Sequence, residues 1–387
     1  MENRASIMIV AGEASGDLHA ANLVHALRAQ FQSGSYEFFG LGGLCMADAG
    51  VRLLYDIRHL ASIGLVEAIP KLCRYYACMR TLLREAQNQR PRVVILVDFP
   101  DFNLRLARRL KVLGFRIIYY ISPQIWAWRE KRIELVRKYV DKMMVILPFE
   151  KEFYRERGVD VSFVGHPLSS FSAPPLNIDA LRREFNLVPE RKVVALLPGS
   201  RVREIRYILP PLLEAAVLIN REVPTTFLLA AAPDMAPELY AELIQRFQSK
   251  CPENNSIDLR VLTGCARELL SVADISLVKS GTATIDGILA EAPFIVIYKI
   301  SWLSWCIGKM LVDTPHYGLV NLIAGRRVVP ELLQKDASPR KMAEYAMRWL
   351  SNPGETSQIR KELRSLKERL GPGNAAQEAA RIVMNYL

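Results

Sequence analysis

Few residues in this 387-residue sequence are cysteines or histidines, and neither type is spaced for metal binding. The six cysteines show no paired short spacing, which argues against a zinc site and against a disulfide framework. The five histidines form no metal-binding motif, so we expect them in capping or surface roles. These scarcities predict a cytoplasmic protein with reduced thiols and no bound metal.

A long uncharged hydrophobic run is also missing. The longest near-continuous apolar stretch, Ala292 to Val312, is interrupted by Lys299 and Lys309 and falls short of the ~18 uncharged residues expected of a spanning helix. The run Ser6 to Ala11 lacks the basic leader and cleavage site of an export signal. Half of the residues are hydrophobic and 24% are charged, which is an ordinary globular composition. The length of 387 residues fits two or three domains.

Acidic residues are too few to balance the basic ones, since 51 Lys and Arg face 40 Asp and Glu, giving a net charge of +11. The window from Arg58 to Lys142 holds 18 basic and 7 acidic residues and so contains the whole excess. Such a region favours an anionic partner, either a nucleic acid, a phosphorylated substrate or an acidic lipid surface. A solvated basic face without a partner is the alternative.

Short apolar, β-prone runs alternate with helical patterns, which predicts βαβ units on parallel sheets. The Pro- and Ser-rich stretch from His166 to Pro175 interrupts this alternation. We therefore predict two doubly wound α/β domains over 1–168 and 179–345, a linker over 169–178, and C-terminal helices over 346–387 that pack back across the domains or swap between subunits. The predicted strands are 7–11, 37–40, 93–97, 117–121, 143–147, 162–164, 193–197, 226–230, 259–262, 275–278 and 294–298.

Two loops of the first predicted domain follow strands. Gly12-Glu13-Ala14-Ser15-Gly16-Asp17 opens a helix and is either a ligand-binding loop or a structural turn; it matches neither the dinucleotide fingerprint nor the Walker loop. Asp98 and Asp101 lie at the carboxyl end of an apolar strand, where parallel sheets bind ligands. Because Asp101 is also placed to cap the next helix, we favour Asp98 as a general base.

Two further loops, in the second predicted domain, have the composition of a phosphate cradle. In Leu197-Pro198-Gly199-Ser200-Arg201, Gly199 allows close approach and Arg201 supplies a guanidinium beside a helix N-terminus. Ser280, Gly281 and Thr282 follow a strand in the equivalent position. Together the two loops predict a phosphate or nucleotide site.

An amphipathic helix is predicted at the start of the basic window. An apolar stripe that includes Leu65, Ile69, Leu72, Tyr76 and Met79 recurs at spacings of three or four residues. Basic side chains, among them Arg74, lie opposite this stripe or at its edges. The helix either faces the core or lies on an acidic lipid surface.

Ordered motifs along most of the chain resemble the bacterial lipid-A-disaccharide synthase family. They are GEASGD (12–17), DFPDFN (98–103), SPQIWAWR (122–129), LPFEKEFY (147–154), VGHPL (164–168), LPGSR (197–201), SGTAT (280–284) and NLIAG (321–325). The resemblance implies the GT-B architecture, two Rossmann-like domains facing across a cleft.

The resemblance also implies a reaction. Members of the family join UDP-2,3-diacylglucosamine to 2,3-diacylglucosamine 1-phosphate, releasing UDP and forming a β-1,6-linked disaccharide with inversion. They use neither a metal ion nor another cofactor. This implies a Gram-negative enzyme of lipopolysaccharide synthesis that is cytoplasmic and peripheral to the anionic inner membrane, with a homodimer as one oligomeric state.

The resemblance assigns roles to the candidate residues. Asp98 would deprotonate the acceptor, and Arg201 with Gly199 and Ser200 would stabilise the departing diphosphate. The loop from Glu13 to Asp17, including Ser15 and Gly16, would line the acceptor side. The residues expected at the nucleotide are Ser280, Gly281, Thr282 and Asn321.

The chain departs from the family at Asp286, where members carry a glutamate; we keep Asp286 as a nucleotide ligand. Another UDP-sugar enzyme of the same fold, such as a UDP-N-acetylglucosamine epimerase, is the alternative among enzymes. A basic nucleic-acid-binding protein is the alternative of another class, although the sequence contains no recognisable nucleic-acid module.

Overall fold

The computed structural model describes residues 5–31, 36–59, 68–127, 130–170, 176–250, 257–311 and 314–387. The chain divides into two compact units, one formed by Met1–Phe171 with Leu370–Leu387 and the other by Ser172–Arg369. Each unit is built on one parallel sheet, which is the arrangement that alternating strands and helices predict.

In the first unit, seven strands pair in the order β3-β2-β1-β4-β5-β6-β7. The strands are β1 (Ala5–Ala11), β2 (Tyr36–Gly42), β3 (Arg52–Asp56), β4 (Val93–Val97), β5 (Ile117–Tyr120), β6 (Lys142–Val145) and β7 (Val161–Phe163). The helices between them are α1 (Ala14–Arg28), α2 (Leu44–Asp48), α3 (Ala68–Gln89), α4 (Pro100–Val112), α5 (Ile133–Tyr139) and α6 (Pro148–Glu156).

The core of this unit lies on both faces of its sheet. Along β1, Met8 and Val10 pack into one apolar cluster, and Ile7 and Ile9 pack into another. All five residues of β4 are buried. Strands buried on both faces must be apolar throughout, which explains why their sequences read as continuous hydrophobic runs.

In the second unit, six strands pair in the order β10-β9-β8-β11-β12-β13. The strands are β8 (Lys192–Leu197), β9 (Thr225–Ala231), β10 (Asp258–Thr263), β11 (Ile275–Lys279), β12 (Phe294–Tyr298) and β13 (Glu331–Leu333). The helices are α7 (Ile178–Glu184), α8 (Val202–Glu222), α9 (Pro237–Lys250), α10 (Ala266–Val272), α11 (Ala283–Leu289), α12 (Trp302–Leu311), α13 (Leu319–Ala324), α14 (Pro339–Ser351) and α15 (Pro353–Arg369).

All eleven predicted strands are present, with ends that differ by at most two residues. Two strands were missed, β3 and β13, and both lie at the edge of a sheet. β3 contains Arg52 and Asp56 and is only partly buried, and β13 has three residues. Edge strands contact one neighbour only, so their sequences need not be strongly apolar.

The C-terminal helices are divided between the units. Helices α14 and α15 belong to the second unit, and α16 (Ala375–Met384) belongs to the first, where it packs against α1. Ala379, Ala380 and Val383 of α16 are fully buried there. The segment expected over 346–387 is therefore two structural pieces that separate near Leu370.

Candidate active site

The strand order of the first unit reverses between β1 and β4, which lie side by side. In open α/β sheets, ligands bind outside the carboxyl ends of the strands at such a switch point. The loop after β1 begins at Gly12, and the loop after β4 begins at Asp98. The topology thus brings the two sequence-predicted loops of this unit together.

Asp98 lies in a strained turn. Asp98 and Phe99 both have left-handed backbone conformations, with φ of 46° and 51°, which non-glycine residues adopt at a cost. The Tyr119 hydroxyl donates a 2.6 Å hydrogen bond to the Asp98 carbonyl oxygen, and Asn103 Nδ2 donates one of 2.7 Å to the same atom. These two buried side chains hold the turn in place.

Gly12 is required by the ring of Phe99. A Cβ atom at position 12 would lie 2.0 Å from Phe99 Cδ1, far inside van der Waals contact. The Phe99 ring also stacks on Phe102 at 5.4 Å between centroids and lies 5.9 Å from the Tyr75 ring. This glycine therefore packs against the turn that carries Asp98.

The Asp98 carboxyl group holds its proton unusually tightly. Burial raises its pKa from 3.8 to about 6, and the negative charge of Glu13 adds to the effect. A hydrogen bond from the Phe99 amide acts in the opposite direction. A carboxyl group whose pKa is close to physiological pH suits general-base catalysis, since it is ionised in the cell yet accepts a proton readily.

The other members of the first loop have different environments. Glu13 and Ser15 are exposed, and Gly16 is buried. Asp17 is 4% exposed, and its carboxylate accepts hydrogen bonds from the backbone amides of Gly43, Cys45 and Met46 at 2.6, 3.0 and 3.2 Å. Asp17 thus caps the N-terminus of α2, a structural role that the sequence pattern did not reveal.

Asp101 forms an ion pair with Arg132. It is the second residue of α4, and the helix shows no side-chain hydrogen bond at its N-cap, Phe99. The structure therefore gives Asp101 a supporting contact, its ion pair with Arg132.

The second unit has its own switch point, between β8 and β11. The loops that follow these strands form a cavity of about 240 Å³. Gly199, Ser200, Gly281, Thr282 and Asp286 line it, as do residues 230–233 and Gly264. Both sequence-predicted loops of this unit therefore border one cavity, together with the loops after β9 and β10, which the sequence analysis missed.

A partly buried ion pair connects the two predicted loops. Lys279 Nζ lies 2.8 Å from Glu204 Oε1, and both side chains are less than 20% exposed. The other carboxylate oxygen of Glu204 accepts a 3.3 Å hydrogen bond from the Ser200 amide. Both side chains line the cavity. Glu204 lies in the first turn of α8, and Lys279 is the last residue of β11. These positions beside the two predicted loops are the sequence signal that could have identified both residues.

The remaining predicted nucleotide ligands divide into two groups. Asp286 borders the cavity, and burial raises its pKa to about 6. The Arg201 side chain is 80% exposed, with a 3.7 Å contact to Glu204. A ligand could thus reach the carboxyl group of Asp286 and the guanidinium group of Arg201.

Ser280 and Asn321 make their hydrogen bonds within the protein. The Ser280 hydroxyl donates to the Tyr317 carbonyl at 2.6 Å. Asn321 is fully buried; its Nδ2 donates to Val329 and Glu331, and its Oδ1 accepts from the amides of Val328 and Val329. The side-chain hydrogen bonds of Asn321 are thus all made within the protein, and its contact with a nucleotide stays a prediction.

Glu150 is a buried carboxylate that the sequence analysis did not single out, although it lies in the LPFEKEFY motif. It accepts hydrogen bonds from Ser122 Oγ at 2.7 Å, Trp126 Nε1 at 3.0 Å and the Leu147 amide at 3.1 Å. Burial raises its pKa to about 7 against the effect of these bonds. Glu150 thereby joins the SPQIWAWR and LPFEKEFY motifs.

The predicted amphipathic helix is α3. Leu65 lies outside the described residues, as do the side chains of Ile69 and Leu72. Arg74 and Tyr76 are exposed, whereas Met79 is 5% exposed and packs into the core.

Across the described ranges, no helix combines the length and apolarity that a membrane crossing demands. In the same ranges, no cluster of three or more His, Cys, Asp or Glu is placed to hold a metal ion.

Solved structures resemble this chain over its full length. A UDP-GlcNAc 2-epimerase from Neisseria meningitidis aligns with a TM-score of 0.67 at 11% identity, covering 98% of this chain and all of that one. A calicheamicin glycosyltransferase aligns with a TM-score of 0.60 at 15% identity, covering 100% and 99%. At such low identity the likeness concerns the fold, and it confirms the GT-B class.

Sequence relatives are much closer. The family model described as lipid-A-disaccharide synthetase matches residues 7–383. A lipid-A-disaccharide synthase from Myxococcus xanthus is 40% identical, covering all of this chain and 99% of the relative. One from Syntrophus aciditrophicus is 41% identical, covering 100% and 98%. The chain therefore belongs to the lipid-A-disaccharide synthase family of glycosyltransferases.

Proposed function

We propose that this enzyme condenses UDP-2,3-diacylglucosamine with 2,3-diacylglucosamine 1-phosphate, giving the β-1,6-linked disaccharide 1-phosphate and UDP. Family membership across residues 7–383 supports the reaction. The observation in the structure that carries the chemistry is Asp98, a half-buried carboxyl group at a sheet switch point with a pKa of about 6.

Asp98 is the general base in this proposal. The ionised carboxylate takes the proton of the acceptor's 6-hydroxyl group while that oxygen attacks the anomeric carbon of the donor. The new carbon–oxygen bond forms on the face opposite UDP, and the bond to the UDP oxygen breaks with its electron pair. Inversion at the anomeric carbon follows from this single displacement.

The cavity of the second unit binds the UDP portion of the donor. The backbone amide of Thr282 and the N-terminus of α8 supply partial positive charge for the diphosphate, and the Ser200 amide joins them once a phosphate displaces Glu204. Arg201 stabilises the charge that develops on the leaving group, and Lys279 adds a cation once a phosphate competes with Glu204. Asp286 accepts a hydrogen bond from the nucleotide, and Ser280 supports the loop through Tyr317.

The acceptor lies on the side of the first unit where Glu13, Ser15 and Gly16 follow β1. Asp17 contributes indirectly, since it anchors α2 to α1. Glu13 acts on the acceptor side through its charge as well, because it helps to hold the pKa of Asp98 near 6.

The protein works in the cytoplasm at the anionic surface of the inner membrane, where both acylated substrates reside. The basic window and the exposed side chains of Arg74 and Tyr76 on α3 support this placement. Charge reversal at Lys71, Arg74 and Arg80 should weaken sedimentation with phosphatidylglycerol vesicles. Unchanged vesicle binding would contradict this location.

A homodimer is part of the proposal, and sedimentation equilibrium tests it.

The decisive experiment combines the two acylated sugars with the purified enzyme in neutral detergent micelles and detects UDP and the disaccharide by mass spectrometry. Asp98→Ala should abolish turnover and leave UDP affinity nearly unchanged, whereas Asp101→Ala should retain most activity. Activity should persist in excess chelator. A UDP-N-acetylglucosamine epimerase would instead form no disaccharide, and a nucleic-acid-binding protein would bind duplex DNA in preference to vesicles.

A further inference from the structure

A groove of about 690 Å³ lies between α3 and α4 in the first unit. Tyr75, Tyr76 and Met79 line it from α3, and Phe102 lines it from α4. Its volume is within the range of ligand-binding sites. The wall is aromatic and apolar, with a methionine that adapts to irregular apolar shapes.

The groove begins beside the proposed base. Helix α4 starts at Pro100, two residues after Asp98. Phe102 and Tyr75, which line the groove, both contact the ring of Phe99, at 5.4 and 5.9 Å between centroids. The apolar wall is therefore continuous with the turn that holds Asp98.

Three arginines line the same groove. Arg105, Arg108 and Arg109 lie three and four residues apart on α4 and are exposed, so they share one helix face. Among the residues that the structure describes, they form no ion pair and no side-chain hydrogen bond. Asp101, the acidic residue of the groove, is paired with Arg132. The groove thus combines an apolar wall with positive charge that is available to a ligand.

We propose that this groove binds the acceptor, with the α4 arginines on its 1-phosphate and the α3 wall against its acyl groups. The inference rests on the proposed function, since it takes the acceptor from that reaction. A guanidinium group donates parallel hydrogen bonds to two phosphate oxygens, a geometry that lysine cannot reproduce. An anionic amphiphile matches both surfaces of the groove, and its position places the sugar at Asp98.

The test compares two acceptors in neutral detergent micelles, 2,3-diacylglucosamine 1-phosphate and the same compound without phosphate. Arg105→Gln, Arg108→Gln and Arg109→Gln should each raise KM for the phosphorylated acceptor by about three- to tenfold, with kcat and the donor KM unchanged. With the dephosphorylated acceptor the same variants should behave like wild type. Arg246→Gln on α9, another exposed arginine, is the matched control and should change neither KM.

Equal KM changes with both acceptors, or no change with either, would overturn the assignment. It would also be overturned if the variants lost binding to phosphatidylglycerol vesicles while their KM in neutral micelles stayed normal, since the arginines would then contact bilayer headgroups. Calorimetry measures binding of the phosphorylated acceptor independently of turnover, so failure of the groove and failure of the proposed reaction can be distinguished. Arginine-dependent binding without disaccharide formation would refute the reaction and retain the groove.

Discussion

Replacing Asp98 with asparagine is expected to inactivate the enzyme and to stabilise its fold near neutral pH. The carboxyl group has a pKa of about 6 in the folded protein against an ordinary 3.8. Folding therefore favours the protonated form, and ionisation at high pH is opposed by burial. Since each tenfold change in an ionisation constant is worth about 1.4 kcal/mol, the ionised Asp98 costs about 3 kcal/mol of folding stability at pH 8.

Because folding raises the pKa of Asp98, the loss of stability appears only as the pH rises above the ordinary pKa of the carboxyl group. Below a pH of about 4 the group is protonated in both the folded and the unfolded chain, and its cost disappears. Between pH 4 and 6 the wild type loses stability as pH rises, and above 6 the full cost remains. Asparagine carries no charge, but it gives up the hydrogen bond between the Phe99 amide and an ionised carboxylate, so we expect a gain of about 1–3 kcal/mol at pH 8.

Urea unfolding of wild type and Asp98→Asn at pH 8 and pH 4.5 measures this difference. The control is Asp101→Asn, an exposed residue paired with Arg132, which should show no gain at pH 8. In parallel, wild-type kcat/KM should fall about tenfold per pH unit below about 6, as the base becomes protonated. An Asp98→Asn protein that is no more stable at pH 8, or equally stabilised at pH 4.5, would refute the reasoning.

Three further substitutions test other parts of the structure. Arg201→Ala should raise the activation barrier by about 2–4 kcal/mol, measured as kcat, whereas Arg203→Ala in the first turn of α8 should have little effect. Equal losses in the two variants would remove Arg201 from leaving-group stabilisation. Gly12→Ala should lower the melting temperature and the activity together, because the new Cβ atom would lie 2.0 Å from Phe99 Cδ1. A melting temperature like that of wild type would show that the Phe99 ring moves away freely. Asp17→Ala should cost about 2–3 kcal/mol in urea unfolding, because three backbone amides at the N-terminus of α2 lose their acceptor. Normal stability with a raised acceptor KM would instead restore a direct role in binding.

Much of the fold could be predicted because strands buried on both faces must be apolar. β1, β4, β8 and β11 are mostly apolar and are followed within two residues by glycine or aspartate. Each of these runs predicted both a strand and the loop after it. The order of the motifs along the chain then identified the family. Such signals are local, so a single sequence contains them.

The duties of individual polar side chains were decided only by the tertiary structure. Asp17 meets amides 26 to 29 residues away, and Asn321 is saturated by Val328, Val329 and Glu331. Whether such a side chain faces a ligand or the protein depends on which distant backbone groups need a partner once they are buried. Sequence patterns alone could not distinguish these two cases.

The sequence by itself therefore determined the two parallel-sheet units and the loops at their switch points, and it favoured Asp98 over Asp101 as a base, which stays a prediction. The tertiary structure decided that Glu204 pairs with Lys279 at the cavity, that Phe99 requires Gly12, and that burial raises the pKa of Asp98 to about 6. Apolar periodicity is a property of neighbouring residues. Desolvation and hydrogen-bond saturation depend on residues that only folding brings together.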